Sequence, residues 1–139
     1  MTSDIQIINV EDKNKDILLP FIEKMGSSSQ TFRYFQTRSI KNVLLNHELT
    51  LVLVRDKSVI GYGHLDREDK LWLGICVIEG ETGKGYGKVI MEELLKNQTE
   101  PIYLSVDKDN EPAIKMYRNY GFVPVEENLN NFIMIKYYE

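Results

Sequence analysis

The stretch VIEGETGKGYGKVIMEELL, Val77 to Leu95, places four glycines within residues 80–87 and then turns into a helix-forming run. A glycine turn entering a helix presents backbone N–H groups and the positive end of the helix dipole to an anion. Gly83, Gly85 and Gly87 remove the side chains that would hold a phosphate away from those amides. The spacing therefore suits a phosphate or diphosphate ligand, with Lys84 and Lys88 adding charge. Two phosphate motifs fail on inspection. Gly85 stands five residues after Gly80, but Tyr86 and Gly87 follow where a nucleotide-hydrolase loop needs Lys and then Ser or Thr. The dinucleotide fingerprint needs its last glycine at Lys88 or at Ile90. Taken alone, the glycines also allow a plain connection with no ligand.

The elements around this loop follow from periodicity. IQIINV, residues 5–10, suits a first strand, and Ile17, Leu18, Phe21, Ile22 and Met25 fall on one helical face. GSSSQ breaks that helix. A second helix is expected from near Thr31 through FRYFQTRSIKNVLL, with Phe35, Ile40, Val43 and Leu44 inward. TLVLV, VIGYGHL and LWLGICV, separated by short polar turns, read as three antiparallel strands. Beyond the loop, Ile90, Met91, Leu94 and Leu95 repeat at helical spacing and PIYLSV is a strand. Asn110 caps a helix with Pro112 in its first turn, Gly121 ends it, and FVPV and FIMIKYY close the chain as strands. The order predicts an α/β (α+β mixed) fold: a mixed, mostly antiparallel sheet with helices on its faces.

A chain of 139 residues, 42% hydrophobic and 27% charged, is expected to form one domain, 1–139, with a packed core. A net charge of -4 argues against a surface that tracks nucleic acid. The single cysteine, Cys76, allows no internal disulfide and no cysteine metal cluster. MTSDIQIINV lacks the features of a secretory signal and no window has the length of a membrane span, so a cytoplasmic protein without a membrane partner is expected.

CVIEGETGKGYGKVIMEELL followed by SVDKDNEPAIKMYRNYGF resembles the two signature segments of the GNAT superfamily of acyl-CoA-dependent N-acyltransferases. Gly85 and Gly87 match the glycines of its coenzyme A pyrophosphate loop, Gln/Arg-x-x-Gly-x-Gly/Ala, while Thr82 stands in the Gln/Arg position. Asn110, Ala113, Tyr117, Gly121 and Phe122 match its Asn-x-x-Ala-x-x-x-Tyr-x-x-x-Gly-Phe run. The resemblance implies the GNAT fold, with a six- to seven-stranded sheet and helices on both faces. It implies acetyl-CoA as co-substrate, with no metal. The pyrophosphate would lie on the backbone amides of Thr82, Gly83, Lys84, Gly85, Tyr86, Gly87 and Lys88, and the arm along main-chain groups of Ile75, Cys76 and Val77. Asn110, Ala113 and Tyr117 would flank the coenzyme. Cys76 is then an ordinary strand residue placed by its backbone, with a nucleophilic thiol as the alternative.

Acetyl transfer to an amine needs a neutral nitrogen, donors aimed at the developing oxyanion, and a proton for the departing thiolate. Tyr117 resembles the family's general acid, and Val77 N–H is the candidate oxyanion donor. His64 is the first candidate base, with Asp66 orienting it or binding substrate, and Glu79 is the second; His64 and Asp66 also read as polar residues near a turn. Arg33, Tyr34 and Arg38 lie where the family binds its acceptor, and an arginine beside aromatics suits a carboxylate, phosphate or sugar ring. SSSQTFRYFQTRS, with NHELT and GYGHLD after it, is similar to small GNAT proteins of bacterial surface-polysaccharide pathways, which implies an amino sugar or its nucleotide. The expected partner is a small-molecule amine, bound by a monomer or homodimer. A protein or peptide acceptor, and a non-catalytic acyl-CoA-binding module, are the alternatives.

Overall fold

A computed structural model describes residues 5–138 other than 31, 37, 40 and 41. The strands are β1 (Ile5–Asn9), β2 (His47–Arg55), β3 (Ser58–Arg67), β4 (Leu71–Val77), β5 (Ile102–Asp107), β6 (Val123–Glu127) and β7 (Asn131–Lys136), and the helices are α1 (Leu18–Lys24), α2 (Tyr86–Leu95) and α3 (Glu111–Asn119). All seven strands form one sheet in the order β1-β2-β3-β4-β5-β7-β6. Every neighbouring pair is antiparallel except β4 and β5. Among the described residues no helix is long and apolar enough to cross a membrane.

Alternation along the strands feeds two apolar layers. On one face Ile90, Met91 and Leu94 of α2 are fully buried against Leu51, Leu53 and Leu65. Close approach is possible there because β3 offers bare backbone: a Cβ on Gly63 would stand 2.5 Å from Ile90 Cγ2. On the other face Leu18 and Phe21 of α1, with Met25 after it, cover Val52, Tyr62 and Cys76. The sheet is thus dressed on both sides, as the sequence predicts.

GSSSQ, expected as a break, forms a 3-10 turn at Gly26–Gln30, and the expected second helix is replaced by a 3-10 turn at Tyr34–Gln36 and a turn at 42–46. Thr31 and Ile40, assigned to it from sequence, lie outside the described residues. The physical reason is aromatic packing: Phe32 and Phe35 set their rings 5.8 and 4.9 Å from Tyr62, and Tyr34 sets its ring 4.3 Å from His64. Phe32, Tyr34 and Phe35 thus all lie over β3, an arrangement the short irregular turns provide. Val43 is buried as expected.

The β4–β5 pairing is what opens the molecule. It is limited to Leu71↔Ile102 and Trp72↔Tyr103, after which the strands separate. From Leu73 to Val77 one edge of β4 has no strand partner, whereas β5 stays paired with β7 along its whole length.

Candidate active site

The separated strands floor a cavity of about 820 Å³ that runs from the glycine loop to the 3-10 turns over β3. At the loop end Gly80, Gly83 and Gly85 adopt φ of 89°, 77° and 86°, the left-handed region. Alternation of such residues with ordinary ones points successive amides into one concavity. A Cβ at any of these three would meet nothing within 4 Å, so the cradle is open, and Gly85 caps α2, whose first turn carries no acidic residue. An anionic diphosphate fits this geometry: bare glycine backbone, a helix N-terminus without a side-chain cap and Lys88 on the wall.

Of the loop's two acids, Glu79 lies off the cavity wall and Glu81, on it, is neutralised. Arg55 at the end of β2 donates to both of its carboxylate oxygens, at 2.7 and 2.6 Å, and to Tyr86 Oη at 2.9 Å; Lys84 adds a bond at 3.1 Å. Hydrogen bonds from Arg55 and then Lys84 hold the Glu81 carboxyl at about 2.

Along the floor, Ile75, Cys76 and Val77 line the cavity, and Ser28 donates to the Val77 carbonyl at 2.8 Å. Burial pushes the Cys76 thiol up to about 12, so it stays protonated near neutrality and is a poor nucleophile. From the opposite wall α3 presents Ala113, Met116 and Tyr117. Asn110 caps that helix by accepting from Ala113 N at 3.4 Å, which fixes the first turn and hence where Tyr117 points. Tyr117 is 8% exposed, its ring edge-on to Phe122 at 5.9 Å, and burial, with Cys76 nearby, raises its hydroxyl to about 12.

The far end is built by β-sheet register. β2 and β3 pair His47 with Asp66 and Thr50 with His64, and a shift after His47 puts His47 and Thr50 on one face although they lie three apart. Tyr34 closes over them. Its hydroxyl donates to Asp66 Oδ2 at 2.7 Å and contacts His47 Nε2 at 2.6 Å, while His47 Nδ1 lies 2.6 Å from Thr50 Oγ1. His64 is 3% exposed, its Nδ1 is 2.7 Å from Tyr62 Oη, and burial, with His47 and Arg38 adding to it, holds it well below its usual range. His47, His64 and Asp66 offer ligand-type atoms within 4.8 Å of one another. Both ring nitrogens of His47 are already engaged, so the cluster as built is a hydrogen-bond chain.

The cavity wall brings together most residues singled out from sequence. Thr82, Gly83, Gly85, Tyr86, Gly87 and Lys88 stand at one end; Arg33, Tyr34, Arg38, His64 and Asp66 stand at the other; Tyr117 lies on α3. Lys84 and Glu79 are not among the lining residues. Lys84 pairs with Glu81, and Glu79 is exposed beside Gly26, its backbone N–H donating to Met25. Arg33 is turned across the cleft, donating to Asp107 at 3.1 and 3.0 Å, and Arg38 lies over the Tyr34 ring at 3.9 Å and within 3.7 Å of Glu68. Sequence reasoning missed His47, Thr50, Ser28 and Asp107. The segment NHELT carried the first two in plain view, but their meeting depends on strand register.

A mixed sheet that splays beside an anion cradle, with a buried tyrosine over the gap, is the framework of an acyl-CoA-dependent N-acyltransferase. The chain belongs to the Acetyltransferase (GNAT) family, whose model matches residues 15–122. It is similar to L-amino acid N-acetyltransferase AaaT of Escherichia coli (strain K12), 32% identical over 83 residues covering 52% of this chain and 51% of that protein. The match thus spans about half the length of this curated relative. A putative acetyltransferase, yncA, of Salmonella typhimurium, solved with its cofactor acetyl-CoA, aligns with TM-score 0.75 at 15% identity over 99% of this chain and 95% of that one. The ribosomal-protein-S18-alanine N-acetyltransferase of Escherichia coli aligns with TM-score 0.70 at 18% identity over 96% and 93%.

Proposed function

We propose that this protein transfers an acetyl group from acetyl-CoA to a primary amine of a small molecule. The observation that carries the reading is one continuous cavity with three differentiated parts: an anion cradle, an unpaired strand edge and an acidic, aromatic pocket. The cradle of residues 82–88 would take the diphosphate, and the open edge at Ile75, Cys76 and Val77 would take the pantetheine arm. Asn110 and Ala113 would flank it from α3. Tyr117, kept protonated by burial, would hand its proton to the sulfur as the C–S bond breaks and the C–N bond forms. His64 and Asp66 would face the amine.

A small acceptor is favoured over a peptide because the 3-10 turns roof the acceptor end and the Arg33–Asp107 bridge spans the gap. The named activity of the curated relative supports an amino acid as one acceptor class, and the sequence resemblance supports an amino sugar. Calorimetric titration with acetyl-CoA, with dephospho-CoA as control, tests the first half of the reading, and thiol release with the twenty L-amino acids, their amides and glucosamine tests the second. Gly87→Glu should abolish binding: its Cβ meets only the flexible Met116 Sδ at 3.3 Å, so the fold survives while a carboxylate enters the cradle. Micromolar binding without turnover of any amine would favour an acyl-CoA-binding module, and retained binding by Gly87→Glu would refute the cradle assignment.

A further inference from the structure

The hydrogen-bond chain at the acceptor end has a direction that chemistry fixes. Tyr34 carries one phenolic proton, and it goes to Asp66 Oδ2. The contact between Tyr34 Oη and His47 Nε2 must therefore be donated by the ring N–H. Burial holds His47 neutral down to about 4, so its other nitrogen, Nδ1, is an acceptor and takes the Thr50 hydroxyl proton. Three donors in series, Thr50 to His47 to Tyr34 to Asp66, end on one carboxylate oxygen.

The other oxygen is the anomaly. Asp66 is 4% exposed on the cavity wall, and its Oδ1 is buried with no hydrogen-bond partner among the described residues. A buried carboxylate oxygen without a donor is costly unless a ligand supplies one, and a substrate ammonium does. The nearby charges are already engaged with one another: Arg38 with Glu68 and the Tyr34 face, Arg33 with Asp107. His64, the base favoured from sequence, is a weak candidate, because burial has stripped it of proton affinity.

Building on the acetyl-transfer reading above, we propose that Asp66 is the base that receives the acceptor's ammonium proton, and that His47 and Thr50 are positioning residues acting on it through Tyr34. The ammonium gives one proton to Asp66 Oδ1 and becomes a neutral amine. That nitrogen forms the C–N bond as the C–S bond breaks. Its second surplus proton passes to the Tyr117 phenolate, replacing the one given to the sulfur, and Asp66 releases the net proton to water after the amide leaves. The donors on Oδ2 hold the carboxylate in place and leave Oδ1 for the ammonium.

The groups facing Asp66 are Tyr34, Arg38 and Glu68 around the cavity mouth, His47 on β2 and His64 on β3. Removing the His47 donor weakens Tyr34's bond to Oδ2 and frees the Asp66 carboxylate to turn away from the amine. The test uses thiol release with the best amine of the panel named above, and calorimetric acetyl-CoA binding as the check on fold. Asp66→Asn should lower kcat/KM about 100-fold or more with acetyl-CoA affinity within about twofold of wild type. His47→Phe should lower kcat/KM for the amine about tenfold with acetyl-CoA affinity unchanged, and His47→Gln, whose amide N–H can replace the ring donor, should bring it back. Should Asp66→Asn fail to fold, the His47 pair decides. Full activity in Asp66→Asn, or a loss in His47→Phe that His47→Gln does not repair, overturns the assignment while leaving acetyl transfer intact. A wild-type protein that binds no acetyl-CoA overturns both.

Discussion

A Cβ on Gly74 would stand 2.5 Å from Nε2 of His64, its cross-strand partner on β3. The imidazole thus fills the space a side chain would take on β4, and it has no free direction to move, with Tyr34, His47 and Tyr62 rings 4.3, 4.7 and 5.4 Å away. Gly74→Ala should therefore destabilise the protein by about 1–3 kcal/mol through overpacking. It should also impair the amine while sparing acetyl-CoA, whose proposed cradle lies at the other end of the cavity. Chemical denaturation and the calorimetric titration check the two halves separately; wild-type stability in Gly74→Ala would mean that the ring has room to turn aside.

Tyr117→Phe separates chemistry from packing. The ring and its edge contact with Phe122 remain, so acetyl-CoA affinity and melting temperature should stay near wild type while kcat falls by about 10²-fold. Because burial raises the hydroxyl to about 12, it stays protonated across the working range, and kcat should show no alkaline decline from Tyr117 below about pH 10. A pH profile of kcat for both proteins settles it: equal kcat values would remove Tyr117 from the reaction.

The glycine loop, β4 and α2 were legible in the sequence because the signals are local: a change of hydrophobic period, glycines at a strand-to-helix turn, and a capped helix after β5. The segment after α1 was not. Its aromatic residues match a helical pattern poorly and find better burial on Tyr62 and His64, a tertiary choice that propensity does not encode. The acceptor end was legible only in part. His64 and Asp66 stand out as polar residues two apart in an apolar strand, but His47 joins them through a register shift that no spacing rule announces. The Arg33–Asp107 bridge joins residues 74 apart in the chain.

The two histidines give stability a defined pH signature. Both are held neutral in the fold by burial, His47 down to about 4 and His64 well below its usual range, whereas in the unfolded chain they protonate near 6.5. Between those limits the unfolded state binds more protons, so stability is fully present above about 6.5 and is lost as pH falls toward 4. His47, only half-buried, contributes less than the full ~1.4 kcal/mol per pH unit because solvent screens it. Glu81, held at about 2 by Arg55 and Lys84, adds its own loss only below about 4.5. Urea unfolding at pH 7.5, 6 and 5 reads the slope. These are the chain's only histidines, so a ¹⁵N-histidine spectrum follows each directly. A flat stability profile from 7.5 to 5, or a ring titrating near 6.5, contradicts the buried neutral pair.

Arg55 and Glu81 make the last prediction, because their pairing governs what the loop offers an anion. Glu81 is the loop acid on the cavity wall, and its charge is cancelled by a two-oxygen grip from Arg55 that also ties Tyr86 at the start of α2. Arg55→Met frees a carboxylate next to the diphosphate site and loosens the turn into the helix. Acetyl-CoA affinity should fall by about tenfold, in line with one uncompensated charge near a phosphate. Glu81→Gln on its own should change affinity little, since it removes an acid already neutralised. In the double variant the charge conflict is gone, so any shortfall from wild type measures the lost tether to Tyr86. The four proteins form a double-mutant cycle read by calorimetry. Affinity in Arg55→Met equal to wild type would show that Lys84 alone suffices to mask Glu81. A double variant no better than Arg55→Met would assign the whole effect to loop geometry.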